Sequence, residues 1–168
     1  LLMGGFNNSS VALNSAELFD PATQTFTAIA STLTSRRSDF KAVSLPGGKV
    51  LLAGGSSSDI ALNTAELYDP ATQTFTAIAA TMNSAREGHA MSLLPSGLVL
   101  ITCGGSLGSA FPATGVILDT AELYDPATQA FTVVATKMTS PRLGHTQTLL
   151  ASGAVLLTGG GNVISSSS

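Results

Sequence analysis

Residues 64–79 read TAELYDPATQTFTAIA, and nearly the same text stands at 15–30 (SAELFDPATQTFTAIA) and at 120–135 (TAELYDPATQAFTVVA). The copies are 49 and then 56 residues apart. Working outward, a second element recurs, an apolar run ending in glycine: VLLAGG at 50–55, VLITCG at 99–104, VLLTGG at 155–160, and a partial LLMGG at 1–5. Repeats of this length mark propeller blades when each unit supplies four short strands. The unit around 88–135 does so, with expected strands a at 88–94, b at 98–103, c at 120–124 and d at 130–135. Between a and b stand PGG (46–48), PSG (95–97) and ASG (151–153), whose glycine suits a tight hairpin. Between c and d stands DPATQ in every copy. Proline in its second place fits a type I turn, and Asp20, Asp69 or Asp125 in its first place is set to accept from a following backbone N–H. Gly, Pro or Asn interrupts the chain too often for a sustained 3.6-residue period, so the expected class is all-β.

Composition narrows the function classes. Forty-four per cent hydrophobic residues, 10 % charged residues and a mean hydropathy of +0.37 exclude a disordered chain. A net charge of −3 and a pI near 5.1 provide no basic footprint for nucleic acid or an anionic membrane surface. No apolar run approaches the roughly 18 residues of a membrane-spanning helix. The single cysteine, Cys103, forms no internal disulfide and no zinc cluster by itself. Twenty-one Ser and 20 Thr dress the chain with uncharged polarity, which leans toward an extracellular or cell-surface setting.

The glycine pair after an apolar strand, the Glu-Leu-Tyr-Asp-Pro run, an aromatic seven positions beyond the tyrosine, and then Arg and His together resemble the kelch repeat. The nearest flavour is the bacterial one related to the central domain of galactose oxidase. The resemblance covers essentially the whole chain and implies kelch-type β-propeller blades of four antiparallel strands. One departure is systematic: the family's tryptophan slot holds Phe26, Phe75 and Phe131 here, so a smaller ring fills it.

Counting strands over 1–168 predicts a blade lacking strand a at 1–30, whole blades at 38–79 and 88–135, and strands a and b of another at 145–160. Three and a fraction blades cannot close a ring of the usual four to eight. The chain is therefore expected to be a piece of a longer six- or seven-bladed propeller, or to need further copies of itself.

Most titratable residues fall on template positions, where a residue serves the blade first. Glu17, Glu66 and Glu122 repeat on strand c, with Phe19, Tyr68 and Tyr124 two places on; Arg37, Arg86 and Arg142 repeat at the d-to-a junctions. An arginine ring for an anionic ligand is one reading. Pairing of each Arg with a strand-c Glu is the favoured one. His89 and His145 share a slot occupied by Phe40 in the preceding unit, which favours packing over metal ligation. Cys103 stands where the other copies have Gly54 and Gly159, and nothing local activates it. The galactose oxidase likeness raises a copper radical site built from Tyr, His and a Cys–Tyr crosslink, yet both tyrosines occupy the repeat slot. No catalytic residue, metal or cofactor is expected.

Loop length varies only between b and c, where 105–119 carries seven more residues than 56–63. That places individuality on one face, shared with the d-to-a connections, and binding residues concentrate on such loops. Phe111, Asp59 and Asp119 are the candidates. The first expectation is a non-enzymatic binding or scaffold module holding a protein or glycan on this face. The alternatives are the propeller part of a larger extracellular carbohydrate-active or copper-oxidase-like enzyme, or a structural subunit of a surface assembly.

Overall fold

The computed structural model describes residues 1–106 and 115–162. Seventeen strands and no helix are present among them. In chain order they are β1 (Leu2–Met3), β2 (Ala16–Asp20), β3 (Thr25–Ala28), β4 (Lys41–Ser44), β5 (Val50–Ala53), β6 (Ser56–Ser57), β7 (Ile60–Ala61), β8 (Ala65–Asp69) and β9 (Thr74–Ala77). There follow β10 (Ala90–Leu93), β11 (Val99–Thr102), β12 (Gly105–Ser106), β13 (Val116–Ile117), β14 (Ala121–Asp125), β15 (Ala130–Val133), β16 (Thr146–Leu149) and β17 (Val155–Thr158).

Thirteen of these make four antiparallel sheets: I (β1-β2-β3), II (β4-β5-β8-β9), III (β10-β11-β14-β15) and IV (β16-β17). The chain is thus all-β, and its complete sheets are the expected four-stranded blades. The remaining strands form two-stranded ribbons, β6-β7 and β12-β13, inside stretches expected to be plain loop. Strand a of sheet III starts at Ala90 rather than residue 88, because Gly88 and His89 belong to the junction: the Gly88 N–H donates to the Asp39 carbonyl, and the Gly144 N–H to that of Gly88. The innermost strands follow one another, β10 packing between β4 and β16.

The DPATQ turns form as their letters require. Asp20, Asp69 and Asp125 each accept the backbone N–H two residues on at 2.9 Å. These bonds, before any other cause, hold the three carboxyls below the usual aspartate range. The turn closes with Gln24, Gln73 and Gln129 in the left-handed region at φ near +55°.

Alternation along each strand divides its side chains between two neighbouring sheets. On β8, Glu66 and Tyr68 face sheet I, while Ala65 and Leu67 face sheet III. One core cluster joins Ala16, Ile29 and Leu33, on or just after sheet I, to Leu52, Tyr68 and Phe75 of sheet II. A second joins Leu51, Ala53, Ala65, Ile78 and Met82 to Val99, Ile101 and Tyr124 of sheet III. Burying these side chains at about 25 cal/mol per Å² of apolar surface is what stacks sheet on sheet. Each junction also holds a tilted ring pair directly across strands c and d: Tyr68–Phe75 with centroids 4.8 Å apart and Tyr124–Phe131 at 4.9 Å. The corresponding Phe19–Phe26 pair, also at 4.8 Å, lies on the outer face of sheet I and is exposed.

Candidate functional site

Two sets of repeated residues could act on a ligand: the charged junction residues and the loops at the b-to-c end of the sheets. At the junctions, Arg37 leaves the strand d of sheet I and sends its guanidinium into sheet II. Its Nη2 donates to Glu66 Oε1 at 2.6 Å and its Nε to the same oxygen at 3.2 Å, while Nη1 reaches the carbonyls of Gly54 (2.7 Å) and Thr64 (3.3 Å). Glu66 takes two more bonds from the backbone N–H groups of Thr34 (2.6 Å) and Ser35 (3.2 Å). The side chains of this pair are 0 and 1 % exposed. Arg86 and Glu122 repeat the arrangement at 2.8 Å, with Cys103 and Thr120 supplying carbonyls and Asn83 and Ser84 supplying N–H groups. The backbone of the same arginines ties back to the previous sheet, since Gly5 N–H donates to the Arg37 carbonyl and Gly55 N–H to that of Arg86. Each arginine thus staples the sheet behind it to the sheet ahead. A guanidinium so enclosed is closed to an outside anion.

The third pair is not made. Arg142 donates to the Gly159 carbonyl at 2.9 Å, and Glu17 lies exposed on β2 at the other end of the stack; neither has an ion-pair partner among the described residues.

His89 is fully buried, and burial before the charge of Arg86 lowers its pKa to about 3. Gly54 leaves room for it: a Cβ there would stand 2.8 Å from the imidazole Cε1. In the next junction Cys103 replaces that glycine, at φ +54°, and His145 instead bonds through Nε2 to Thr102 Oγ1 at 2.8 Å. Thr102 spends its hydroxyl proton on Gln147 Oε1 at 2.6 Å, so His145 carries its own proton on Nε2. Its pKa is also lowered, by burial first. The Cys103 thiol is buried 3.2 Å from the Met138 sulfur, and burial raises its pKa, the reverse of an activated nucleophile. Burial likewise raises Tyr68 and pushes Tyr124 up to about 12. Among the described residues no three of His, Cys, Asp and Glu are grouped as a metal ion would need.

The b-to-c end is built differently. In sheet I a turn over 7–11 is held by Asn7, whose Oδ1 accepts from the N–H groups of Ser9 (2.9 Å) and Val11 (3.0 Å). In sheet II the ribbon β6-β7 turns through Ser58 and Asp59, both left-handed at φ +49° and +62°, the pair that a two-residue hairpin demands. In sheet III the ribbon β12-β13 lies against β7. These ribbons turn large apolar side chains to solvent: Phe6 and Val11, then Ile60 at 68 %, then Val116 at 59 %. Of the candidates read from sequence, Asp59 sits at the ribbon tip next to Ile60. Asp119 pairs with Lys137 at 3.0 Å across one sheet, at the surface, where such a bond contributes little. Phe111 lies outside the described residues. The sequence reading overlooked Phe6, Val11, Ile60 and Val116; the available signal was apolar letters standing between strands, outside the a-to-d template.

Comparison with known families places the Kelch motif on residues 1–32 and 36–82. No curated protein matches the chain.

Proposed function

We propose that this kelch-repeat chain is a non-enzymatic binding module that holds a partner protein on the face formed by its b-to-c ribbons. Kelch repeats commonly mediate protein binding or scaffolding. The observation that carries the reading is that Phe6, Val11, Ile60 and Val116, all at the b-to-c end of the sheets, turn their side chains to solvent, with the β12-β13 ribbon lying against β7. Exposed apolar side chains at one end of the sheets favour an interaction surface. Asp59 at the ribbon tip supplies the polar rim. A setting outside the cell belongs to the same proposal, supported by the low charge and the Ser and Thr content.

The test is affinity capture on the immobilised 168-residue chain, read by quantitative mass spectrometry. The double variant Ile60→Asp with Val116→Asp should lose a captured protein by about tenfold or more, the weight of one desolvated apolar anchor. Ala71→Asp, on a DPATQ turn at the opposite end of sheet II, should keep it. Equal capture by all three overturns the assignment of the face.

A further inference from the structure

The innermost strands β4, β10 and β16 follow one another, and Phe40, His89 and His145 stand directly before them. The Gly88 N–H donates to the Asp39 carbonyl and the Gly144 N–H to that of Gly88, which fixes the spacing of the three strands at this level. Along them lies a bay of about 220 Å³ lined by Lys41, Ala90, Met91, His145, Thr146 and Gln147. Pairing register settles which main-chain groups face it. Leu45, Leu94 and Leu150 donate to the carbonyls of Lys49, Leu98 and Ala154, so every second residue back along each strand bonds to strand b. The residues between them, among which Met91 and Gln147 line the bay, turn N–H and C=O away from strand b. No innermost strand pairs with another, so these groups take no main-chain bond among the described residues.

Among the side chains, the Thr146 hydroxyl is taken by Thr158 at 2.8 Å, and Gln147 uses both ends of its amide, on Thr102 and on the Leu100 carbonyl. Lys41 is exposed and has no hydrogen bond or ion pair among the described residues, unlike the sealed Arg37 and Arg86. His145 is 4 % exposed, and with Nε2 committed to Thr102 its Nδ1 is a buried acceptor without a partner. The wall of the bay therefore holds a full positive charge and two N–H donors, and beside them acceptors: the Met91 and Gln147 carbonyls and the imidazole Nδ1. An anion that can only accept satisfies the donors and sets its lone pairs against the rest. An oxyanion that brings its own hydroxyl satisfies both. From this set we propose that the bay binds a protonated oxyanion of the phosphate class, hydrogen phosphate or a phosphomonoester. Its charged oxygens accept from Lys41 Nζ and the Met91 and Gln147 N–H groups, and its P–OH donates to the acceptors of the same wall. Burial, then the charges of Arg142 and Lys41, lower the pKa of His145, which favours Nδ1 as an acceptor over a second cation. The inference is independent of what the ribbon face binds.

Isothermal titration calorimetry on the 168-residue chain tests this with inorganic phosphate and with sulfate, which has no hydroxyl at neutral pH. Phosphate should bind at one site, and sulfate at equal ionic strength at least about tenfold more weakly, because its oxygens meet acceptors they cannot satisfy. Lys41→Gln, at an exposed position, should keep the fold by circular dichroism and weaken phosphate at least about tenfold, since a charge-assisted bond is lost. His145→Phe, which copies Phe40, should keep the fold and narrow the preference for phosphate over sulfate by about threefold or more. Methyl phosphate, about half protonated near pH 6, separates the two sources: binding as tight as that of inorganic phosphate assigns the bay to phosphomonoesters, and binding of inorganic phosphate alone assigns it to the free ion. No saturable phosphate binding by about 10 mM, sulfate bound as tightly as phosphate, or a Lys41→Gln chain that binds phosphate as wild type does would each overturn the proposal.

Discussion

Glu66→Gln removes one negative charge from the first complete junction while keeping the side chain's size. In the native junction Oε1 takes Arg37 Nη2, Arg37 Nε and Ser35 N–H, and Oε2 takes Thr34 N–H alone. The best glutamine rotamer keeps its oxygen at the Oε1 position and turns its NH₂ toward the Thr34 N–H, so a 2.6 Å bond becomes a donor facing a donor. Arg37, fully buried, then keeps its charge with only neutral acceptors around it. Breaking a buried pair in this way costs about 3–5 kcal/mol, a large part of the 5–15 kcal/mol that a domain has to lose. For a chain of this size about 2–4 °C is lost per kcal/mol, so Tm should fall by roughly 6–20 °C. Urea unfolding followed by circular dichroism gives the same quantity from the midpoint. Glu17→Gln changes the same template letter where it is exposed, and in dilute solution it should stay within about 0.5 kcal/mol of wild type. A drop at position 66 no greater than at position 17 would refute the view that the arginine staple holds sheet to sheet.

Gly54→Ala should also be severe, because the new Cβ would stand 2.4 Å from the Arg86 carbonyl oxygen and 2.8 Å from His89, at φ +63°. Gly47→Ala, at φ +87° with open space around it, should cost only the backbone strain of about 1–2 kcal/mol; equal losses in urea would contradict the contact. His89 contributes to the pH dependence of stability beside His145 and the three turn aspartates, because its folded pKa of about 3 lies below its unfolded value near 6.5. Between those values the unfolded chain binds the proton and the folded chain does not, so the His89 contribution is full above about pH 6.5 and declines as pH falls toward 3, with a limiting slope of about 1.4 kcal/mol per pH unit. His89→Phe, which copies Phe40 in the equivalent slot, should make Tm fall less steeply with acidification across that window, and an unchanged slope would count against the buried neutral imidazole.

The outline of this molecule could be read without coordinates because tandem copies repeat one consistent local pattern. The spacing of DPATQ, the glycine pairs and the alternating AEL(F/Y)D letters specified short antiparallel strands, and the strands appeared within about two residues of their expected bounds. Strand assignment rests on neighbours along the chain, which the text of the repeat contains. The b-to-c ribbons escaped that reading, since β6-β7 and β12-β13 are too short to carry a periodic signal.

What letters alone could not decide is which copy of a repeated residue finds its partner. Glu17, Glu66 and Glu122 look alike in sequence, yet one is exposed and two are sealed, because each depends on an arginine that another sheet must bring. Phe19 and Tyr68 differ for the same reason, and His89 and His145 differ because the preceding sheet sets Ala53 and Gly54 before the first imidazole and Thr102 and Cys103 before the second, which bonds to Thr102. Likewise, the exposure of Phe6, Val11, Ile60 and Val116 at the b-to-c end is set by the fold. Sequence by itself determined the repeating sheet, a property of bonds between close neighbours; tertiary structure decided the junctions and the exposed face, which depend on what stands on the far side of each sheet.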